Sequence, residues 1–383
     1  MIKKIKIYIT LAAVAFSSVS CLDKYPEDAI PEGDAIRTVE EANQAVIGIY
    51  AYMKNPNLYS GLLTLLPDLQ ADLAYAVEGY TNTYGNIWRW DILPTNTEVE
   101  AVYGTLNALI GKCNFLLERI AVLEQEVDDE DYEKLQQFKG EALFARALSY
   151  SDLIKMYCKA YDPATAADEL GVVLVSSYSN AGTLKRASLK DSYQFVLDDL
   201  AQSATCLKPD ENENDESYYD TPYFTIYAVN ALYARVYLNM QEWDKAIEYA
   251  SKVIDSRKFK LSSTTEMIDS ETSYYQYMWQ YDHSTETIWK VGFTTTSYGG
   301  SLGQIFFNYD FNSFKPDYVP AEWVLNLYAD TDLRATTFFQ FYRTGYEHGL
   351  QWPLLAKYFG NQEFYEQNIL HVTMPKVFRL SEQ

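Results

Sequence analysis

Residues 223–256, YFTIYAVNALYARVYLNMQEWDKAIEYASKVIDS, decide the fold. Apolar residues recur there at helical spacing, which predicts two helices in close succession, over about 222–240 and 243–256. Ala234, Ala246 and Ala250 are the small residues that let two such helices approach. Tyr237, Trp243 and Val253 are the larger ones that fill the groove toward a neighbouring pair. A helical pair of this size cannot bury its own apolar faces, so several must stack.

The pair resembles one tetratricopeptide repeat, and further helices are read on both sides of it. Thr38-Val-Glu-Glu41 has the form of a capping box, after which Ala42, Ala45, Val46, Ile49 and Tyr50 share one face. A helix over about 98–122 turns Val102, Leu106, Leu109, Ile110, Cys113 and Leu117 inward. Others are expected at about 130–157, at 188–206 opened by Ser188 and stopped before Pro209, and at 321–329 after Pro320. Three long stretches, 55–97, 257–320 and 335–378, carry no repeat and read as irregular segments. Thr287-Ile-Trp-Lys-Val291 reads as a short strand. The expected class is therefore mostly α: a tetratricopeptide-like scaffold of helical pairs with long loops and minor strands.

The amino terminus has a different character. Lys3, Lys4 and Lys6 precede an apolar run from Ile7 to Phe16, which is followed by Ser17, Ser18, Ser20 and Cys21. The run is too short to span a bilayer, which takes about 20 apolar residues, and it has the layout of a signal peptide. Small residues ending in cysteine resemble a bacterial lipobox, although Ser18 stands where leucine is usual. Residues 1–20 are thus expected to be a signal peptide and Cys21 the lipid-attachment site; an ordinary secretory signal with an incidental cysteine is the alternative. Residues 21–383 are expected to form one domain.

The net charge is -22; residues 1–20 carry three lysines and no acidic residue, so the remainder stands at -25. Such a chain is repelled by phosphate backbones and by anionic lipid surfaces, which argues against nucleic acid as a partner. Cys113, Cys158 and Cys206 are an odd number of thiols and read as free, with at most one disulfide open to them. The three histidines, His283, His348 and His371, form no metal-ligand motif, and neither a phosphate-cradling glycine loop nor a G-x-S-x-G elbow is present. Asp210, Asn212 and Asn214 alternate as in a calcium loop but lack its turn glycine and closing glutamate, so a solvated acidic loop is the better reading. No cofactor, metal or catalytic residue is expected. The conspicuous feature is 34 tyrosines, seven tryptophans and 18 phenylalanines, many beside Gly, Asn, Asp and Ser in the long segments. Binding residues concentrate on loops of this kind.

These pieces, in this order, resemble the SusD/RagB family of outer-membrane nutrient-binding lipoproteins. The resemblance rests on Cys21 with LDKYPED after it, EANQAVIGIYAYM (41–53), PDLQADLAYA (67–76) and VYGTLNALIGKCNFLLERI (102–120). It continues through GEALFARALSYSDLIKMY (140–157) with Arg146 in the family's Arg-Ala place, ASLKDSYQFVLDDLAQSATCLKP (187–209), the pair at 231–254, ETIWKVGF (286–293) and LYADTDLR (327–334). Arg379 and Glu382 match the start of an Arg-x-x-Glu helix after which the family continues for about a hundred residues, so the usual C-terminal segment is expected to be missing.

The resemblance implies a lipid-anchored protein facing the cell exterior, partnered with a SusC-like TonB-dependent transporter, that captures glycans and is not an enzyme. Aromatics beside amides place the ligand site on two loops, and in the family the region of the first carries ligand-stacking aromatics and an asparagine. The first holds Tyr80, Asn82, Tyr84, Asn86, Trp88, Trp90 and Asn96; the second holds Tyr274, Tyr275, Tyr277, Trp279, Tyr281 and Tyr298. Aromatic faces cover the apolar side of a sugar ring while amides bond its hydroxyls. Peptide capture on the same architecture, and a glycoside hydrolase with a facing carboxylate pair, stay open as alternatives.

Overall fold

The computed structural model describes residues 35–77, 83–178, 184–207, 222–281, 284–294, 302–308, 313–345 and 352–358. The signal peptide, Cys21, Tyr80, Asn82, Tyr298, the acidic run at 210–216, the three histidines, and Arg379 with Glu382 lie outside the described residues.

Among the described residues seven longer helices form the scaffold: α1 (Val39–Tyr52), α2 (Leu62–Gln70), α4 (Thr97–Leu123), α5 (Asp129–Tyr157), α6 (Leu189–Cys206) and the pair α7 (Ile226–Asn239) and α8 (Trp243–Asp255), with the single-turn α3 (Gly85–Trp88) between α2 and α4. Sequential helices pack on one another, α4 on α5, α5 on α6 and α7 on α8, while α1 covers α4 and α5. Shorter helices follow: α9 (Tyr274–Tyr281), α10 (Gln304–Phe307), α11 (Glu322–Leu325) and α12 (Leu333–Phe338). Strands among the described residues occur as antiparallel two-stranded ribbons: β1 (Ala74–Ala76) with β4 (Tyr318–Pro320), β2 (Leu170–Val173) with β3 (Arg186–Ser188), and β5 (Phe339–Gln340) with β6 (Leu354–Leu355).

The helix starts follow their caps. Thr38 Oγ1 accepts from the Glu41 amide at 3.1 Å, and Glu41 accepts from the Thr38 amide at 3.2 Å, which closes the expected capping box. Ser188 caps α6 in the same manner through the Asp191 amide. Thr225 opens α7 as its N-cap, its side chain accepting from the Ala228 amide, so residues 222–224 lie outside the helix.

Helix α5 is the centre of the scaffold. Its residues from Gly140 to Ile154 are all buried, so it has no solvent face along this stretch. The burial includes three charged side chains, each answered by a different element. Glu141 accepts from Tyr50 Oη of α1 at 2.6 Å, and Tyr50 Oη in turn accepts from the Phe224 amide. Arg146 grips Asp199 of α6 with two bonds of 2.8 and 2.6 Å and donates to Asn114 Oδ1 of α4 at 2.7 Å. Asp152 accepts from Tyr59 Oη at 2.9 Å. Burial opposes the Arg146 charge, but the carboxylate beside it more than offsets this and holds its pKa above the usual value. Small residues permit the approach: a side chain at Gly140 would stand 2.8 Å from Cys206 Cβ of α6.

Between α7 and α8 the aromatic residues form a stack, with Tyr233 and Tyr249 at 4.3 Å and Tyr237 against Tyr249 at 5.5 Å. Tyr237, Ala246 and Val253 are buried as expected. Trp243 is exposed instead, on a stripe of α8 with Ile247 and Ile254. Cys113, Cys158 and Cys206 are free; the first and last are buried.

Three expectations are corrected. Thr287–Val291 is not a strand: Thr287, Trp289 and Val291 are buried alternately, but no strand forms over these residues. The Trp289 ring lies against Tyr59 and Phe224, and its Nε1 donates to Pro222 O at 2.8 Å. The helix expected at 321–329 is only Glu322–Leu325, because turns take over from Asn326. The long segments at 55–97 and 257–320 are less irregular than expected, since α2 and α9 lie within them.

A buried ion pair truncated on one side leaves an uncompensated charge. Asp199→Ala is therefore expected to lower unfolding stability by about 3–5 kcal/mol, measured by urea denaturation. A loss under about 1 kcal/mol would mean that Arg146 is held by something else.

Candidate functional site

The β1–β4 ribbon joins parts of the chain far apart in sequence, with Ala74, Tyr75 and Ala76 opposite Pro320, Val319 and Tyr318. Three indoles fasten to it. Trp88 Nε1 donates to Ala74 O at 2.8 Å, Trp323 Nε1 to Asp72 O at 3.1 Å, and Trp352 Nε1 to Pro320 O at 2.8 Å. An indole at a half-buried position needs such an acceptor, and the bond fixes its plane. The Trp88 ring also meets Tyr75 at 6.1 Å and Tyr318 at 6.2 Å.

The first predicted loop thus splits into two kinds of residue. Trp88 is half-buried against the ribbon and Tyr84 packs against the main core. Trp90 is 63 % exposed, two residues beyond Trp88, where the backbone turns into the left-handed region at φ 59°. The amides serve local structure. Asn86 Oδ1 accepts from Arg89, and Asn96 Oδ1 accepts from the Leu93 amide at 2.5 Å, which fixes the turn ahead of α4.

The second predicted loop is the helix α9. Ser273 and Gln276 cap it reciprocally, Ser273 Oγ accepting from the Gln276 amide and Gln276 Oε1 from the Ser273 amide. Trp279 is buried with Met278 and Phe338 in a cluster of its own, with Phe338 at 4.8 Å edge-on and Lys357 Nζ 5.2 Å above the indole. Tyr275 packs against that cluster, and Tyr277 stacks on Tyr281 at 4.5 Å. Tyr274 is the exposed member. Trp88 belongs to the main core and Trp279 to this satellite, so the two sets occupy separate hydrophobic clusters.

Two exposed aromatics on or beside this ribbon escaped the sequence reading: Tyr75, 64 % exposed on β1, and Trp323, 48 % exposed at the start of α11. Together with Trp90 they give three aromatic side chains presented on or beside one ribbon. Asp317, just before β4, ties the first loop to the ribbon: its Oδ2 accepts from the Thr83 amide at 3.3 Å, and Tyr318 Oη donates to Thr83 O at 2.9 Å. Burial raises the Asp317 carboxyl pKa, against the lowering effect of the Thr83 bonds. Among the described residues no cluster of three or more His, Cys, Asp or Glu could hold a metal ion, and no helix is long and apolar enough to cross a membrane.

Comparison with known proteins places this architecture. Residues 22–238, more than half of the chain, match the family model SusD-like, described as starch-binding and associating with the outer membrane. The chain belongs to the SusD-like family. A SusD superfamily protein of Bacteroides thetaiotaomicron superimposes with a TM-score of 0.72 at 22 % identity, over 90 % of this chain and 74 % of that one. Surface glycan-binding protein A of Bacteroides uniformis gives 0.66 at 15 % identity, over 89 % and 73 %. SusD-like protein P2 of Formosa agariphila is 23 % identical over 257 residues, 66 % of this chain. The SusD-like chain spans about half, 46 %, of the length of that curated relative. The predicted helical scaffold is the one found, with the ribbon added to it.

Two outcomes are expected of this geometry. Trp88→Ala, which removes a packed and hydrogen-bonded indole, should cost about 2–3 kcal/mol of stability, whereas Trp90→Ala should change it by less than about 0.5 kcal/mol, both read by chemical unfolding. Asp317 has a raised pKa in the folded state, so its contribution is most favourable below the unfolded carboxyl value of about 3.9 and is lost as pH rises through the folded value. Asp317→Asn should then melt no lower than the parent at pH 7, and any advantage should shrink as the pH is brought down toward 4; a lower melting point at pH 7 would contradict the buried-charge reading.

Proposed function

We propose that this SusD-like chain is an outer-membrane lipoprotein, anchored through Cys21 and facing the cell exterior, that captures oligo- or polysaccharides and hands them to a TonB-dependent transporter. The observation that carries the reading is the set of aromatic faces, Trp90, Tyr75 and Trp323, exposed on a ribbon held rigid by indole hydrogen bonds. A sugar ring offers an apolar C–H face to such a ring and its hydroxyls to flanking amides and carboxylates. Aromatic side chains have two rotatable bonds, so their ordering cost on repeated weak capture is small. The family's description as starch-binding and outer-membrane associating supports the same reading, as does the name of the surface glycan-binding relative from Bacteroides uniformis.

Turnover of a glycan would need a facing pair of carboxylates, whereas capture needs none. Among the buried acids described above, Glu141, Asp152 and Asp199 are each spent on a scaffold partner. The strongly negative net charge of -22 disfavours polyanionic ligands and leaves neutral glycans as the better class.

Calorimetric titration of the purified protein with maltoheptaose, cellohexaose, xylohexaose and mannohexaose tests this. Saturable binding without product formation is expected for at least one of them. Trp90→Ala or Tyr75→Ala should weaken it about tenfold, equivalent to about 1.4 kcal/mol. Binding of peptides in place of sugars, or release of shortened sugars, would overturn the proposal.

A further inference from the structure

We propose that a small polar pocket beside the β1–β4 ribbon is a subsite for a sugar hydroxyl, with the Asp317 carboxylate as its acceptor. The proposal rests on the glycan-capture reading and gives it a point of specificity.

The pocket has a volume of about 110 Å³ and lies among Thr83, Tyr84, Gln304, Asn308 and Asp317. Asp317 is only 4 % exposed and is held by its backbone on two sides, its amide donating to Ile305 O at 2.8 Å and its carbonyl accepting from the Val77 amide at 2.9 Å. Its Oδ2 is used by the Thr83 amide. Its Oδ1 is buried and has no hydrogen-bond partner among the described residues. A carboxylate oxygen in that condition is costly, and buried polar atoms in native proteins are nearly always satisfied. An acceptor that the fold places firmly beside a pocket and leaves unsatisfied is matched by a donor from outside.

The chemistry of the lining narrows that donor. A carboxylate only accepts, so the incoming group must donate; the amide of Gln304 both donates and accepts, so the same group is also offered a donor. A hydroxyl satisfies both demands. An ammonium group satisfies only the first, and an anion only the second. Calcium takes six to eight oxygen ligands and usually several carboxylates, whereas this pocket has one. The volume admits several waters or one edge of a sugar ring, not a whole oligosaccharide. The pocket is therefore a selector within a larger groove.

Two features tie it to the exposed aromatics. Thr83 and Tyr84 run directly into α3, and Trp90 lies just past the far end of that helix, so one short segment carries both the pocket wall and a stacking face. Tyr84 and Asn308, on opposite sides of the pocket in sequence, both adopt left-handed backbone, at φ 62° and 40°. For a residue as bulky as tyrosine this conformation is strained, and strain of this sort collects at binding sites.

The test is calorimetric titration of the full chain with maltoheptaose, cellohexaose, xylohexaose and mannohexaose, comparing the parent with Asp317→Asn, Gln304→Ala and Trp90→Ala, with melting curves for each. For whichever oligosaccharide the parent binds, Asp317→Asn and Gln304→Ala should each weaken binding about tenfold while Asp317→Asn melts no lower than the parent. A merely structural aspartate would lower the melting point and leave the affinity of the folded fraction unchanged. If Trp90→Ala weakens binding but both pocket variants stay within about twofold, the subsite is wrong and the capture reading stands. If the parent binds none of the four, the capture reading fails and takes the subsite with it.

Discussion

The guanidinium of Arg146 sits in the middle of the scaffold with nowhere to discharge its charge except onto Asp199 and Asn114. That constraint organises much of the chain. A buried cation is tolerated only with its partners in place, so α4, α5 and α6 must meet in one register. Asn114 extends the requirement outward by donating to Val175 O, at the end of the β2 segment. Glu141 and Asp152, on either side of Arg146 along α5, impose the same kind of condition on α1 and on Tyr59. Apolar packing supplies most of the stability of such a scaffold, but these polar pairs say which of many compact arrangements is adopted. The rigidity that follows is what allows short, irregular segments to hold side chains in fixed positions.

The helices were legible because their boundaries carry chemistry. Thr38 with Glu41, and Ser188 ahead of α6, are caps that any reading of the chain will find. The same logic applied to Ser273 and Gln276 finds α9, where the density of tyrosine obscures the signal. Helix α2 was hidden by Pro67 in its interior, although Leu62, Leu65, Leu66 and Leu69 repeat at helical spacing and are all buried. Residues 287–291 show the opposite error. Alternation reports that a chain is extended with one side buried, and it says nothing about whether a neighbouring strand exists; here the buried side faces Tyr59 and Phe224.

The candidate site was legible in kind but not in detail. Trp88 and Trp90 are two residues apart and have the same composition around them, yet one is fastened to Ala74 O and the other stands in solvent. The difference is made by the left-handed backbone at Trp90, a property no residue pattern announces for tryptophan. Tyr75 and Trp323 were missed for another reason. Their significance comes from a ribbon of three residues on each strand, formed between positions roughly 245 apart in the chain. Pairing over such a separation is decided by the finished scaffold, and strands this short leave no periodicity to read.

The three free thiols give the fold a clock. Cys113 lies wholly buried in α4, close to the Arg146–Asp199 pair, and burial pushes its thiol pKa up to about 12. A thiol in that state is inert to alkylating reagents while the helices are closed, because only the thiolate reacts and no reagent can reach it. Cys158, half-buried at the end of α5, also has its pKa raised by burial, but a reagent can reach it without the scaffold opening. The ratio of their labelling rates in one sample is thus a direct reading of how often the scaffold opens at its polar centre, separate from fraying at a helix end, without any added probe.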